Sequence, residues 1–347
     1  MSKDHRDALL RSKRVRLDPL PEGILCTDRE DWKQAIEKAT SDLSSAIKQR
    51  TGSAHATRRF RILVSADQCH TDVTYLKDRL LPTLIKVLLL RQDGQDTAEA
   101  VLEAAWAITN LAAGQHDVVK TVLVSAPALI AHLSGWLGNP VADQCAWALG
   151  NMAGEDAAYC KILAANGAVL PLARLLLNTT CYNQGRAAES ESAATTAAWA
   201  LSNMLWGDPS QAGHLIEAPE FSKSLINVLQ EEHDGGLHIE GAWLLAFLCG
   251  GSETHMHTMV KQGAADAAVR RLCSTLDKQD GAFEDSLALL TPLLRCLGNM
   301  GTSKLAAKSL LSEDCSAAVR RCAECPNGSL RREARWVEAM LSKLAQG

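Results

Sequence analysis

Phenylalanine and tyrosine are scarce in this chain, four and three in 347 residues, against eight tryptophans. Core packing draws on Phe and Tyr at least as readily as on Trp. The imbalance therefore argues for work done by indole faces, such as holding a cation. Long apolar runs are also missing: no uninterrupted stretch reaches the ~18 residues of a membrane-spanning helix, and the N-terminus is too hydrophilic for a secretory signal. No membrane partner is expected, and residence in cytoplasm and nucleus is. Neither sign of charge is in excess: 36 Lys and Arg stand against 40 Asp and Glu, a formal net charge of −4. That balance gives no general electrostatic support to a nucleic-acid partner.

The signatures of catalysis are absent too. There is no P-loop, GxSxG, HExxH or Rossmann glycine pattern. His116, His132, His214, His233, His238, His255 and His257 form no partnered constellation at a useful spacing. No enzyme activity and no cofactor are expected. The eleven cysteines are odd in number and scattered, and Cys145, Cys160, Cys249 and Cys296 sit within apolar helical stretches. They read as small buried hydrophobes in a reducing compartment rather than a disulfide framework. Cys322 and Cys325 form a single CxxC with no second pair, so no zinc site is expected.

What the chain does have is helix. Hydrophobic content of 47% with 22% charge suffices for a sizeable core, and Ala and Leu dominate with little strand alternation. Residues 1–25 stand apart as a basic arm, with Lys3, Arg6, Arg11, Lys13, Arg14 and Arg16 followed by Pro19, Pro21 and Gly23. Residues 26–57 read as a linker and an amphipathic helix from Trp32 to Gln49, and 58–347 as a repeat domain.

Within that domain one phrase recurs: EAAWAITNLAAG, QCAWALGNMAG and TAAWALSNMLWG. Each sets a tryptophan four residues before an asparagine: Trp106/Asn110, Trp147/Asn151 and Trp199/Asn203. Positions i and i+4 lie one above the other on a helix, so each segment pairs an indole with an amide on one face. Taking the Trp or its equivalent as a register mark gives positions 106, 147, 199, 243, 295 and 336, spaced by 41, 52, 44, 52 and 41 residues. Armadillo and HEAT repeats have periods of about 40 to 47 residues. Polar loops at 178–192 and 274–285 account for the two longer spacings. Glycine marks the turn after many of these helices, at Gly114, Gly154, Gly207, Gly250 and Gly301. A repeat of this kind cannot bury its apolar face alone, so neighbours stack into a right-handed α-solenoid of about seven repeats with a concave face.

These residues resemble importin-α, the armadillo-repeat adaptor that carries proteins with basic nuclear localisation signals to importin-β. The likeness covers roughly residues 58 to 345. In that family the second to fourth repeats carry Trp-x-x-x-Asn, the fifth keeps Trp with Tyr for Asn, and the sixth has Arg for Trp but keeps Asn. Here the fifth reads Trp243 with Phe247 and the sixth Arg295 with Asn299, so the exceptions fall in the same order.

The resemblance implies a major groove walled by Trp106, Trp147, Trp199 and Trp243, where lysine and arginine stems lie between indoles. It implies that Asn110, Asn151 and Asn203 hydrogen-bond the peptide backbone. Glu155 stands where a family Asp takes the key lysine, and Gly114 matches a glycine whose carbonyl binds the same lysine. Glu103, Glu240 and Glu333, each three residues before a Trp, share its helix face and add acid to the groove.

Departures accompany the match. Val119 occupies the position of a family threonine, Thr196 that of an asparagine, and Met340 replaces Asn after Trp336. Repeats eight to ten are not in this sequence, which leaves a partial minor groove of Arg295, Asn299, Glu333 and Trp336. The basic arm resembles a shortened importin-β-binding segment, which in the family also folds back as imitation cargo; a solvated basic tail and a localisation signal of the chain's own are the alternative readings. The leading expectation is an adaptor for basic nuclear localisation signal peptides, with importin-β as a possible partner. The alternative is a non-transport armadillo scaffold for another extended partner.

Overall fold

The computed structural model describes residues 29–66, 72–134, 140–181, 188–231, 235–278 and 286–346, and no strand occurs among them. The basic arm, residues 1–25, lies outside the described residues. The chain divides into two compact units, Met1–Leu175 and Leu176–Gly347.

In the first unit α1 (Arg29–Gln49) packs on α2 (Ser53–Ser65), with Trp32, Ile36 and Leu43 buried between them and their neighbours. The turns Val73–Tyr75 and Leu76–Leu80 run into α3 (Leu81–Leu88), followed by the long α4 (Gln95–Ala112). The pattern repeats as α5 (His116–Val122), α6 (Ala126–His132) and α7 (Pro140–Glu155), then α8 (Ala157–Ala165) and α9 (Val169–Cys181), within which the boundary after Leu175 falls. The expected start of the repeats at 58 falls inside α2 (Ser53–Ser65), on which α1 packs.

The second unit continues the theme. It contains α10 (Ala188–Gly207), α11 (Ala212–Ile216), α12 (Pro219–Gln230), α13 (Gly236–Gly251), α14 (Glu253–Lys261), α15 (Ala264–Asp277) and α16 (Leu287–Met300). A turn at Ala307–Leu310, α17 (Glu313–Ala323) and α18 (Gly328–Gln346) complete it. The expected loop at 178–192 is shorter than its polar composition suggested: α9 runs to Cys181 and α10 starts at Ala188. The stretch AESESAATTAAW is rich in helix-favouring Ala and Glu, and that propensity outweighs its polarity.

The long helices carry the register marks and pack on one another in series. In the first unit α2 lies against α4 and α4 against α7; in the second α10 lies against α13, α13 against α16 and α16 against α18. Alanine makes this stacking close. Ala104, Ala105 and Ala107 in α4, and Ala146 and Ala148 in α7, are completely buried. A larger side chain at these positions would hold neighbouring helices apart.

Polar ties fix the stagger. Asp96 of α4 accepts the backbone N–H groups of Ser53 and Ala54 at 3.0 and 3.1 Å, capping α2 from the next repeat. The Thr109 hydroxyl lies 3.0 Å from the Gln144 carbonyl on α7. Turns between short helices use Gly167 (φ 82°) and Gly263 (φ 98°), left-handed conformations that L side chains resist.

Candidate functional site

Trp106 on α4 and Trp147 on α7 are both half-buried, on successive long helices of the first unit. Their asparagines sit one turn on and deeper, with Asn110 8% and Asn151 0% exposed. The Asn110 amide donates to Ser65 Oγ at 2.7 Å and the Asn151 amide to the Thr109 carbonyl at 3.1 Å. Asn299 does the same in the second unit, donating to the Ala246 carbonyl at 2.8 Å. Each amide thus reaches back to the long helix of the preceding repeat. These asparagines are ties between repeats as they stand.

The acids expected three residues before the tryptophans are also engaged. Glu103 is 4% exposed and accepts Arg61 Nε at 2.5 Å and Arg58 Nε at 2.7 Å. Arg61 holds its guanidinium 3.8 Å from the centroid of the Trp106 ring. The second unit repeats this arrangement. Glu333 pairs with Arg295, whose guanidinium stands 5.0 Å from the Trp336 centroid. In each case an arginine on the preceding long helix covers one indole face and pairs with the carboxylate one turn before it.

The protein thereby fills two cation cradles with its own side chains. Arg61 was not among the residues the sequence singled out. It lies 45 positions before Trp106, as Ser65 lies 45 before Asn110, so the repeat register reaches it.

Glu155 has a different partner. At the end of α7 its Oε1 lies 3.0 Å from Nδ1 of His116, and His116 Nε2 lies 3.1 Å from the Tyr159 hydroxyl. The two rings stack with centroids 5.5 Å apart. One proton arrangement satisfies all three groups: Tyr159 donates to Nε2 and Nδ1–H donates to Glu155. The Tyr159 pKa is raised, by burial first and then by Asp156, Glu155 and Asp117, which keeps its donor proton in place. This constellation contradicts the expectation that no histidine has partners. His116 precedes Glu155 by 39 residues and Tyr159 by 43, about one repeat, and only stacking brings them together.

Gly114 follows the end of α4, where its N–H donates to the Leu111 carbonyl at 3.0 Å. A Cβ there would press against that same oxygen, also at 3.0 Å. Val119 is completely buried, so it fills core instead of facing a ligand. In the second unit Trp199 is 4% exposed and Asn203 0%, both inside the packing of α10. Trp243 and Glu240 on α13 are half-buried, and Trp243 stacks on Phe247 at 6.2 Å. Trp336 lies directly over Gly298 of α16, where even a methyl group would collide with the indole. Thr196, at 5% exposure, bonds its hydroxyl to the Ser192 carbonyl at 3.0 Å.

Burial holds the cysteines as protonated thiols: Cys249, Cys315 and Cys322 are pushed up to about 12, and Cys145 and Cys296 are raised as well. Among the described residues no three His, Cys, Asp or Glu side chains converge as a metal would need.

No family model matches the chain. Importin subunit alpha-9 of Arabidopsis thaliana is 30% identical across 100% of this chain, and importin subunit alpha-2 of Oryza sativa subsp. japonica is 33% identical, also across 100%. The chain spans 66% and 65% of those relatives' own length.

Among solved structures, a designed armadillo-repeat protein in complex with the peptide (KR)4 aligns with a TM-score of 0.59 at 19% identity, over 75% of this chain and 99% of that one. An engineered protein aligns with a TM-score of 0.63 at 19% identity, over 77% and 98%. The structural likeness shows the all-α armadillo-repeat solenoid fold, and the sequence likeness shows the lineage. The chain belongs to the importin-α family of armadillo-repeat proteins.

Proposed function

We propose that the chain is an adaptor that holds extended lysine- and arginine-rich segments, of the nuclear localisation signal kind, against its long helices, performs no chemistry, and serves nuclear protein import between cytoplasm and nucleus. The observation that carries this reading is the pair of half-exposed indoles, Trp106 and Trp147, on adjacent long helices of one unit, with Glu155 oriented by His116 on the same helix as Trp147. Indole faces take up the apolar stems and charge of lysine and arginine, and a positioned carboxylate adds pairing. A designed armadillo-repeat protein of similar fold in complex with the peptide (KR)4 supports a ligand of this kind. Importin-β recruitment by residues 1–25 belongs to the same proposal.

In this reading the buried Arg61 covers one face of Trp106, and an incoming cation uses the other. Glu103 and Glu333 act through the internal arginines, with Arg295 held between Glu333 and the Trp336 indole. One observation favours the scaffold alternative: Glu103 and Glu333, in register with the tryptophans, are already paired inside the protein. A scaffold for a less basic extended partner would need fewer free acids.

The test is a titration of the chain lacking residues 1–25 with a labelled lysine-rich localisation peptide at two salt concentrations, with Trp147→Ala alongside. The indole removed is half-exposed, so the variant should stay folded and lose about five- to thirtyfold in affinity, as loss of roughly 1–2 kcal/mol of cation–π contact implies. A folded Trp147→Ala with unchanged affinity would remove this site. Absence of any binding to the parent chain would put the scaffold reading first.

A further inference from the structure

The first unit carries a second concave feature, lined by helices other than those that bear the tryptophans. A cleft of about 900 Å³ opens between the stretch Val73–Leu88 and α5 with the turn that follows it. Its floor is apolar, from Val73, Leu81, Ile85 and Val124. Two of these are unusually exposed for aliphatic side chains: Val124 at 66% and Val73 at 37%. The rim is cationic, with Lys77, Lys86 and Lys120 exposed around the apolar floor and Asp117 the one carboxylate among the lining residues. Three positive charges against one negative, on an apolar strip between helices, describe a surface with a definite complement.

We propose that this cleft docks an amphipathic helix of a partner protein whose flanks carry glutamate or aspartate. The volume suits a few inserted aliphatic or aromatic side chains, within the range of roughly 300–1,000 Å³ that ligand clefts occupy. An amphipathic helix laid along a groove supplies such side chains at i, i+3, i+4 and i+7. The lysines select against basic helices and accelerate encounter with acidic ones. The chain's own N-terminal arm is excluded as the occupant by its sign, since it concentrates six Lys and Arg in its first sixteen residues.

The cleft lies on α3, α5 and the turns beside them, whereas Trp106 and Trp147 project from α4 and α7. An acidic partner there and a basic peptide at the indoles can therefore be held at once. Charge keeps the two ligands apart: each site repels what the other attracts.

The experiment uses the full chain and a fluorescein-labelled helical peptide with leucines at i, i+4, i+7 and i+11 flanked by glutamates. A scrambled isomer and a lysine-for-glutamate counterpart serve as controls. Anisotropy should report saturable binding of the acidic peptide alone, weakening as salt rises from roughly 50 to roughly 500 mM. Val124→Asp and the pair Lys77→Glu with Lys120→Glu should each lower affinity about fivefold or more. All three side chains are exposed, so folding should be retained, and Lys261→Glu in the other unit should change nothing. In methyl spectra the Ile85 and Val124 signals should shift on titration, and unlabelled lysine-rich peptide should not displace the probe.

Failure of the acidic peptide to bind overturns the proposal. So does binding that ignores Val124→Asp and the lysine reversals. A concentration-dependent dimer abolished by Val124→Asp would assign the cleft to a second copy of the chain and overturn it equally.

Discussion

Replacing Glu103 by alanine isolates one charge in the core of the first unit. Arg61 has a side chain 2% exposed, and Glu103 5%, with the guanidinium Nε and carboxylate oxygen 2.5 Å apart. The Arg58 side chain, which shares the carboxylate, is 56% exposed and contributes only about 0–1 kcal/mol. Removing the carboxylate leaves the Arg61 charge buried against Trp106 with its ion pair gone, which costs about 3–5 kcal/mol. For a unit spanning Met1–Leu175, each kcal/mol moves the midpoint by roughly 2–4 °C, so the loss is about 6–20 °C.

Stability in stacked repeats is close to a sum of nearest-neighbour terms. The destabilisation should therefore appear as an early transition of the N-terminal repeats, read by circular dichroism and Trp fluorescence. The companion variant Arg61→Met with Glu103→Leu removes both charges and keeps the volume, and should recover most of the loss. A Glu103→Ala protein melting within about 2 °C of the parent, or a double variant as unstable as the single one, would refute the reasoning.

Three further outcomes follow from the geometry. Asn151→Ala removes a fully buried tie to the Thr109 carbonyl and should lower unfolding free energy by about 1–3 kcal/mol in urea titrations, independent of any peptide; equal stability would make the amide a ligand group only. Gly298→Ala drives a methyl group into the Trp336 indole and should destabilise α18 by about 1–3 kcal/mol with a change in Trp emission, whereas Gly213→Ala, with its nearest neighbour 3.6 Å away, should be neutral. Thiols raised from 9.0 to about 12 at Cys249, Cys315 and Cys322 favour the protonated native state, so stability present below pH 9 should decline as pH climbs toward 12; urea midpoints unchanged between pH 8 and 11 would contradict that burial.

Much of this architecture is legible in the chain because repetition writes the same constraint several times. The helical period, the Trp-to-Asn interval of four and the spacing between copies identify the long helices without coordinates. The basic arm at 1–25 and the replacement of Trp by Arg295 are likewise sequence facts. Helix covers both ends of the expected loop at 178–192, because the alanines and glutamates from Ala188 onward favour helix despite their polar setting.

Which way the side chains face was settled only by stacking. The family resemblance implies that Asn110 and Asn151 are ligand amides, and in the assembled helices they also donate to the preceding repeat, to the Ser65 hydroxyl and the Thr109 carbonyl. Glu103 and Glu333 looked like free acids because their partners, Arg61 and Arg295, stand 42 and 38 residues earlier. Glu155 met His116 and Tyr159 for the same reason. Period and composition, then, determined the fold and the face that carries the tryptophans. Pairing across repeats depends on the stagger of neighbouring helices, a quantity no single repeat contains, and so the tertiary structure alone decided which charges pair inside the protein.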